Sequence, residues 1–260
     1  MRIFRAFLKH LPSWDTPSKL ALGIALALIV LNVGVMMVFP TLRPASSAAL
    51  FLLLLMLQFI TLWGNRHLTK PITQAQRHYL RGAFSEVIAL LQPLQHDQTA
   101  SVEELTLLAN TYRQLGDLER SQLILSEAIE KAPQHAFPLY GMGKTLMWMG
   151  DFEGATSHFL QAEQADPKGV PALDVCEALF RVGRVEEARQ RLAQVQPERL
   201  RPEGWVMYRL LRLHLAGEVI PVEAKVYEAG RTYWQEMLAR FPESPYGASL
   251  NDELRAISTL

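Results

Sequence analysis

Residues 102 to 133 read VEELTLLANTYRQLGDLERSQLILSEAIEKAP, and residues 134 to 169 read QHAFPLYGMGKTLMWMGDFEGATSHFLQAEQADPKG. The two stretches share one plan. Gly116 is followed 34 residues later by Gly150, and Asp117 by Asp151, Ala128 by Ala162 and Pro133 by Pro167 at the same step. Leu105 and Leu139 keep the register, as do Leu125 and Phe159. A fixed step of this size marks a stacked repeat, with one helix-turn-helix per unit.

Each unit can be read physically. Leu105, Leu108, Ala109, Tyr112 and Leu115 recur at spacings of three and four, which makes one apolar helical face. Gly116 follows that face and can take the left-handed conformation that ends a helix. The carboxylate of Asp117 can then cap a second helix, which carries Leu118, Ser121, Leu125 and Ala128 inward. Pro133 forbids its continuation. The second unit repeats the plan with Leu139, Met142, Gly143, Leu146, Met149, Gly150, Asp151, Phe152, Ala155, Phe159, Ala162 and Pro167. The small residues Ala109, Gly143, Ala128 and Ala162 let neighbouring helices approach closely.

These residues resemble the tetratricopeptide repeat. The second unit matches best, with Gly143 at the small site and Ala155, Phe159, Ala162 and Pro167 at the rest of the signature. It departs at two aromatic sites, where Leu139 and Leu146 stand. The first unit has Tyr112 at its aromatic site but Ser121 where alanine is usual. The pattern extends with decay, through Gly82, Gly183 and Gly217, over roughly residues 72 to 240. Ala188 and Leu192 keep a third pattern whose closing proline has slipped to Pro197. The resemblance implies an all-α, TPR-like solenoid of helix-turn-helix repeats and a role in protein–protein interaction. Its units are read as 65–101 (linker and degenerate first repeat), 102–135, 136–169, 170–202 (degenerate) and 203–260 (degenerate repeat and C-terminal capping helices). Within the last, Val222 to Arg240 is a long amphipathic helix that closes the stack.

Formal net charge is zero, but it is unevenly spread. Residues 1 to 64 hold five Lys or Arg against one acid, and the remainder hold 21 against 25. A nucleic-acid-binding module would concentrate its cations on the folded part, so the balance speaks against such a partner. The one cysteine, Cys176, excludes an internal disulfide.

Residues 1–18 form a basic amphipathic segment, with Arg2, Arg5 and Lys9 on one helical face and Phe4, Phe7, Leu8 and Leu11 largely on another. It reads either as an interfacial helix or as an ordinary flank of a membrane helix. Thr16 is expected to cap a helix with Pro17 at its first position. Two uncharged runs follow within residues 19–64, at 20–39 and 46–63, joined by a short loop with Arg43 as its one charge. Twenty helical residues span about 30 Å, the hydrocarbon thickness, so the pair reads as a transmembrane hairpin in contact with lipid. Trp63 sits where an aromatic interface anchor would. A cleavable signal peptide fits poorly, because a second apolar run follows at once. Asn32 and Gln58 are candidates for an interhelical hydrogen bond, and Gly23 and Ala27 for a close helix approach. Cations lie outside both ends of the hairpin, at Arg2, Arg5, Lys9 and Lys19 and at Arg66, Lys70, Arg77 and Arg81. Both termini and the repeats are therefore expected in the cytoplasm, with the chain in the cell membrane as a two-helix, multi-pass protein.

No catalytic, cofactor or metal signature holds. The seven histidines lack metal-ligand spacing. Cys176 occupies the buried small site of a first helix, and Gly141, Gly143 and Lys144 lie inside a helix rather than in a phosphate loop. The exposed side of each first helix should line a concave surface. It would present Asn110 and Arg113 in the first clear unit, and Phe137, Tyr140, Lys144, Met147 and Trp148 in the second. Phe180 and Arg181 follow in the third, beside Val170, Leu173 and Glu177. These residues form the expected partner-binding groove for a protein or peptide, and its centre is aromatic, as interface anchors often are. The competing expectation is that the aromatics are covered by a distant segment such as the helix from Val222 to Arg240. In function the chain reads as a membrane-anchored scaffold or assembly factor, with no cofactor. The alternatives are an enzyme using Cys176 or a histidine, and a structural subunit of a membrane complex.

Overall fold

A computed structural model of the chain describes residues 15–64 and 71–258. The basic segment expected at 2–11 and the cations Arg66 and Lys70 lie outside the described residues. The chain divides into two compact units, Met1–Lys70 and Pro71–Leu260.

The first unit is a helical hairpin of α1 (Thr16–Val38) and α2 (Arg43–Gly64), joined by a short 3-10 turn at Pro40–Leu42. Both are long and apolar enough to cross a membrane. Their outer surface is apolar, with Leu20, Ile24, Val30, Leu31, Phe51 and Leu52 all exposed. Four sequence expectations need correction. The cap of α1 is Asp15, whose side chain accepts from the Ser18 amide at 3.3 Å, and Thr16 is already helical. The second helix starts at Arg43, because Pro44 suits a first turn, where its missing N–H would be unpaired in any case. Asn32 and Gln58 do not pair: the Asn32 side-chain oxygen has no partner, and Gln58 is exposed. The seam between the helices buries Ser18, Leu22 and Ala25, whereas Gly23 and Ala27 face outward.

The second unit is a stack of helix pairs. α3 (Pro71–Leu80) pairs with α4 (Phe84–His96), α5 (Val102–Gln114) with α6 (Leu118–Lys131), and α7 (Ala136–Met149) with α8 (Phe152–Ala165). α9 (Ala172–Arg181) pairs with the short α10 (Val185–Leu192), and α11 (Pro202–Ala216) with α12 (Ala224–Arg240). α13 (Pro245–Ser258) follows. No strand occurs among the described residues. The architecture is an all-α, TPR-like solenoid.

The local reasons recur from unit to unit. Gly82, Gly116, Gly150, Gly183 and Gly217 all have φ between 68° and 87°, so each turn inside a pair uses the backbone region that disfavours a Cβ. The carboxylates of Asp117 and Asp151 accept from the amides of Arg120 and Gly154, capping α6 and α8. Ser101 and Glu104 form a reciprocal capping box on α5. The core is one continuous file. Leu105, Leu108, Leu125, Ala155, Phe159, Ala162, Cys176 and Ala188 are all buried within it. Gly143 is where α7 meets α8: a Cβ there would lie 2.5 Å from the Phe159 ring. In the α9–α10 pair α10 is short, and Pro197–Arg199 forms a 3-10 turn.

Candidate binding site on the inner face

α5, α7 and α9 turn equivalent rows toward one side of the stack. The repeat step places Asp174 of α9 34 residues after Tyr140 of α7, and the Tyr140 hydroxyl donates to Asp174 Oδ2 at 2.5 Å. Lys144 Nζ donates to the other carboxylate oxygen at 3.0 Å. Burial works against the Lys144 charge, but Asp174, with Tyr140 and Glu177, carries its pKa above the ordinary lysine value. Burial and the neighbouring Asp174 carboxylate push the Tyr140 phenol up.

One turn further along α9, Glu177 is buried. It accepts from the Tyr246 hydroxyl of α13 and lies 3.6 Å from Arg181. Burial outweighs the favourable Arg181 charge and the Tyr246 hydrogen bond, so the Glu177 pKa is raised. Arg181 grips both carboxylate oxygens of Glu253 at 2.6 and 2.7 Å, and its guanidinium lies 5.1 Å from the Tyr246 ring centre. Such a two-pronged arrangement matches guanidinium to carboxylate geometry.

The C-terminal elements cover much of this face. α12 packs on α11 through Gly230, where a Cβ would lie 2.2 Å from the Pro202 carbonyl oxygen. Trp234 Nε1 donates to the Glu203 carbonyl at 2.9 Å. The helix then runs on until Arg240 reaches Gln114 and the turn at Gly116. Phe241 stacks on Trp148 with ring centres 4.3 Å apart, and Tyr246 meets the same indole edge-on at 4.8 Å. The Ser244 hydroxyl donates to the Trp148 carbonyl.

The residues read from the sequence therefore fall in two groups. Met147 and Trp148 are each only 4% exposed, so neither stands open as an anchor. The Arg181 side chain is 5% exposed and held by Glu253, and Phe180 tilts against His214. Val170, Leu173 and Glu177 are buried as well. Asn110, Arg113, Tyr140 and Lys144 are half-buried, and Phe137 is 60% exposed. The covering segment is not the helix from Val222 to Arg240 alone, since Phe241 and Tyr246 do most of it over Trp148. Sequence reasoning passed over Asp174, Glu253 and Tyr246. Only Asp174 left a signal, one repeat step beyond Tyr140.

Between the inner face and α12 lies a cavity of about 80 Å³, lined by Arg113, Lys144, Asp174 and Glu177 opposite Tyr233, Trp234 and Met237. Arg113 Nη2 donates to Asn110 Oδ1 at 3.0 Å, while its Nη1 is buried with no partner. Burial depresses the Arg113 pKa. A polar cavity of this size has room for ordered water.

Reactive groups elsewhere are committed to structure. The Cys176 thiol is buried, donates to the Ala188 carbonyl at 3.2 Å, and is pushed up to about 12 by burial and then by Glu177. A thiol so held is a poor nucleophile. The ring nitrogens of His158 and His214 bond carbonyls of their own helices, Gly154 and Leu210. Among the described residues no three His, Cys, Asp or Glu side chains converge as metal ligands.

Neither a family model nor a curated protein matches the sequence. Solved structures do. TTC0263, a thermophilic TPR protein in Thermus thermophilus, is 15% identical with a TM-score of 0.50, covering 73% of this chain and 98% of that one. The MamA MSR-1 structure is 19% identical with a TM-score of 0.41, covering 73% of this chain and 93% of that one. At 15% identity the likeness to TTC0263 bears on the fold alone.

Proposed function

We propose that this tetratricopeptide-repeat-like chain is a scaffold tethered to the cell membrane by α1 and α2, which binds other proteins through the inner face of its helix stack. The observation that carries this reading is the continuous row of polar and aromatic side chains on α5, α7 and α9. A repeat stack that offers an extended concave surface is suited to a protein segment rather than to a small substrate. Phe137 is the exposed part of that surface and Asn110, Arg113, Tyr140 and Lys144 are half-buried, while Met147 and Trp148 are buried, Arg181 is held by Glu253 and Phe180 lies against His214. The apolar outer surface of the hairpin supports contact with lipid, since a patch of that extent is costly in water. Cations at both ends of the hairpin favour a cytoplasmic stack.

The test uses the full chain in detergent as bait, with mass spectrometry of what co-purifies. The double variant Arg113→Ala and Phe137→Ala should lose the specific partner while its melting temperature stays close to the parent's. Retention of the partner by that variant would move the binding surface off the inner face.

A further inference from the structure

We infer that the segment from Phe241 to Ser258 is a resident ligand of the inner face, and that a partner binds by displacing it with a helix of the same chemistry. This rests on the reading that the inner face binds protein. The segment meets that face as a bound helix would. Phe241 stacks on the Trp148 indole and Tyr246 meets it edge-on. The Tyr246 hydroxyl reaches Glu177, and Glu253 answers Arg181 with both oxygens. Tyr246 and Glu253 are seven residues apart, so they share a face of α13 with the buried Leu250 and Leu254. The opposite side carries Ala248, Asp252 and Arg255, all exposed. The pattern is therefore an aromatic, a leucine four residues on, an acid three further and a second leucine beside it. That is the anchor spacing of an amphipathic helix laid in a groove.

The mode of attachment suits exchange. The strap joins α12 through a short link containing Pro242, which ends the helix and sets the segment apart from it. Its polar contacts at Glu177 and Arg181 are made to side chains of a single helix, α9. A competing helix with the same acid and aromatic would satisfy both, so its affinity is reduced only by the fraction of time the resident is seated.

A labelled peptide of residues 241–258 tests this without any foreign partner, by fluorescence anisotropy on the full chain in detergent. The parent chain should bind it at least tenfold more weakly than the variant Tyr246→Ala, Glu253→Ala, whose own strap is loosened. Adding Arg181→Ala to that variant should abolish the gain. A double variant that keeps a cooperative melt and fails to take up the peptide would overturn the inference. If the double variant does not fold, hydrogen exchange on the parent decides. Amides of α13 should exchange well before those of α5 to α8; exchange of all together would make the segment a fixed part of the core. Peptide uptake without any co-purified partner would leave this inference standing and count against the scaffold reading, and the reverse result would do the opposite.

Discussion

Trp148 shows how a single side chain can be placed on the right helix and still have its environment decided elsewhere. It lies on the inner side of α7, turned away from the seam that holds Met142, Gly143 and Leu146, yet it is as buried as they are. Its indole is enclosed by Phe241 and Tyr246. Removing a buried aromatic leaves a cavity and typically costs about 3–5 kcal/mol. Trp148→Ala should therefore lower the melting temperature markedly, and an unmoved melt would mean that Phe241 is not seated on it. Glu177 makes a second residue-level prediction. Its pKa is raised in the folded chain by burial, so the folded state holds that proton more tightly than the unfolded chain does. Its contribution is then fully present below the ordinary carboxylate pKa, about 4.3, and is lost as pH rises through the raised folded value. Glu177→Gln should flatten that fall in stability, measured as melting temperature from acid to neutral pH. An unchanged slope would assign the titration to another group.

The α7–α8 pair is the tightest test of the stack at the level of elements. Gly143 allows the backbone of α7 to lie against Phe159, since a Cβ would sit 2.5 Å from the ring. Gly143→Ala must push that ring or separate the helices, and overpacking of this kind costs about 1–3 kcal/mol. Ala155, fully buried at the start of α8, should respond similarly to Ala155→Leu. A thermal melt that moves for neither variant would count against the close approach of the two helices. Ser121 and Thr145 share a buried hydroxyl contact at 2.9 Å between α6 and α7, which explains why serine is tolerated where alanine is usual. The hydroxyl is paired, so its burial carries little penalty.

At the scale of the whole molecule, the chain joins a hairpin with an apolar surface to a stack with a polar one. If the hairpin crosses a membrane with both ends in the cytoplasm, a reporter active only outside the cytoplasm should stay silent when fused after Leu260. The same reporter should work when fused near Arg43. Activity at the C-terminal fusion would sink that orientation. How much of the molecule could be read in advance follows the range of the interactions concerned. The repeat, its helix pairs and its turns were legible because each is a local requirement. The glycines at the 33- or 34-residue step all adopt positive φ, and the aspartates beside two of them cap the next helix. Small residues at fixed positions likewise announced where helices meet. The inner face was legible only as a set of positions. Its hydrogen bonds, from Tyr140 and Lys144 to Asp174 and from Arg181 to Glu253, join residues on separate helices. The hairpin seam also escaped the sequence, since Ser18, Leu22 and Ala25 rather than Gly23 and Ala27 face the neighbouring helix. Periodicity by itself determined which residues share a helical face. Only the tertiary structure decided what each face meets, because Phe241 and Tyr246 reach Trp148 across the stack, and a contact between distant segments leaves no period in the chain.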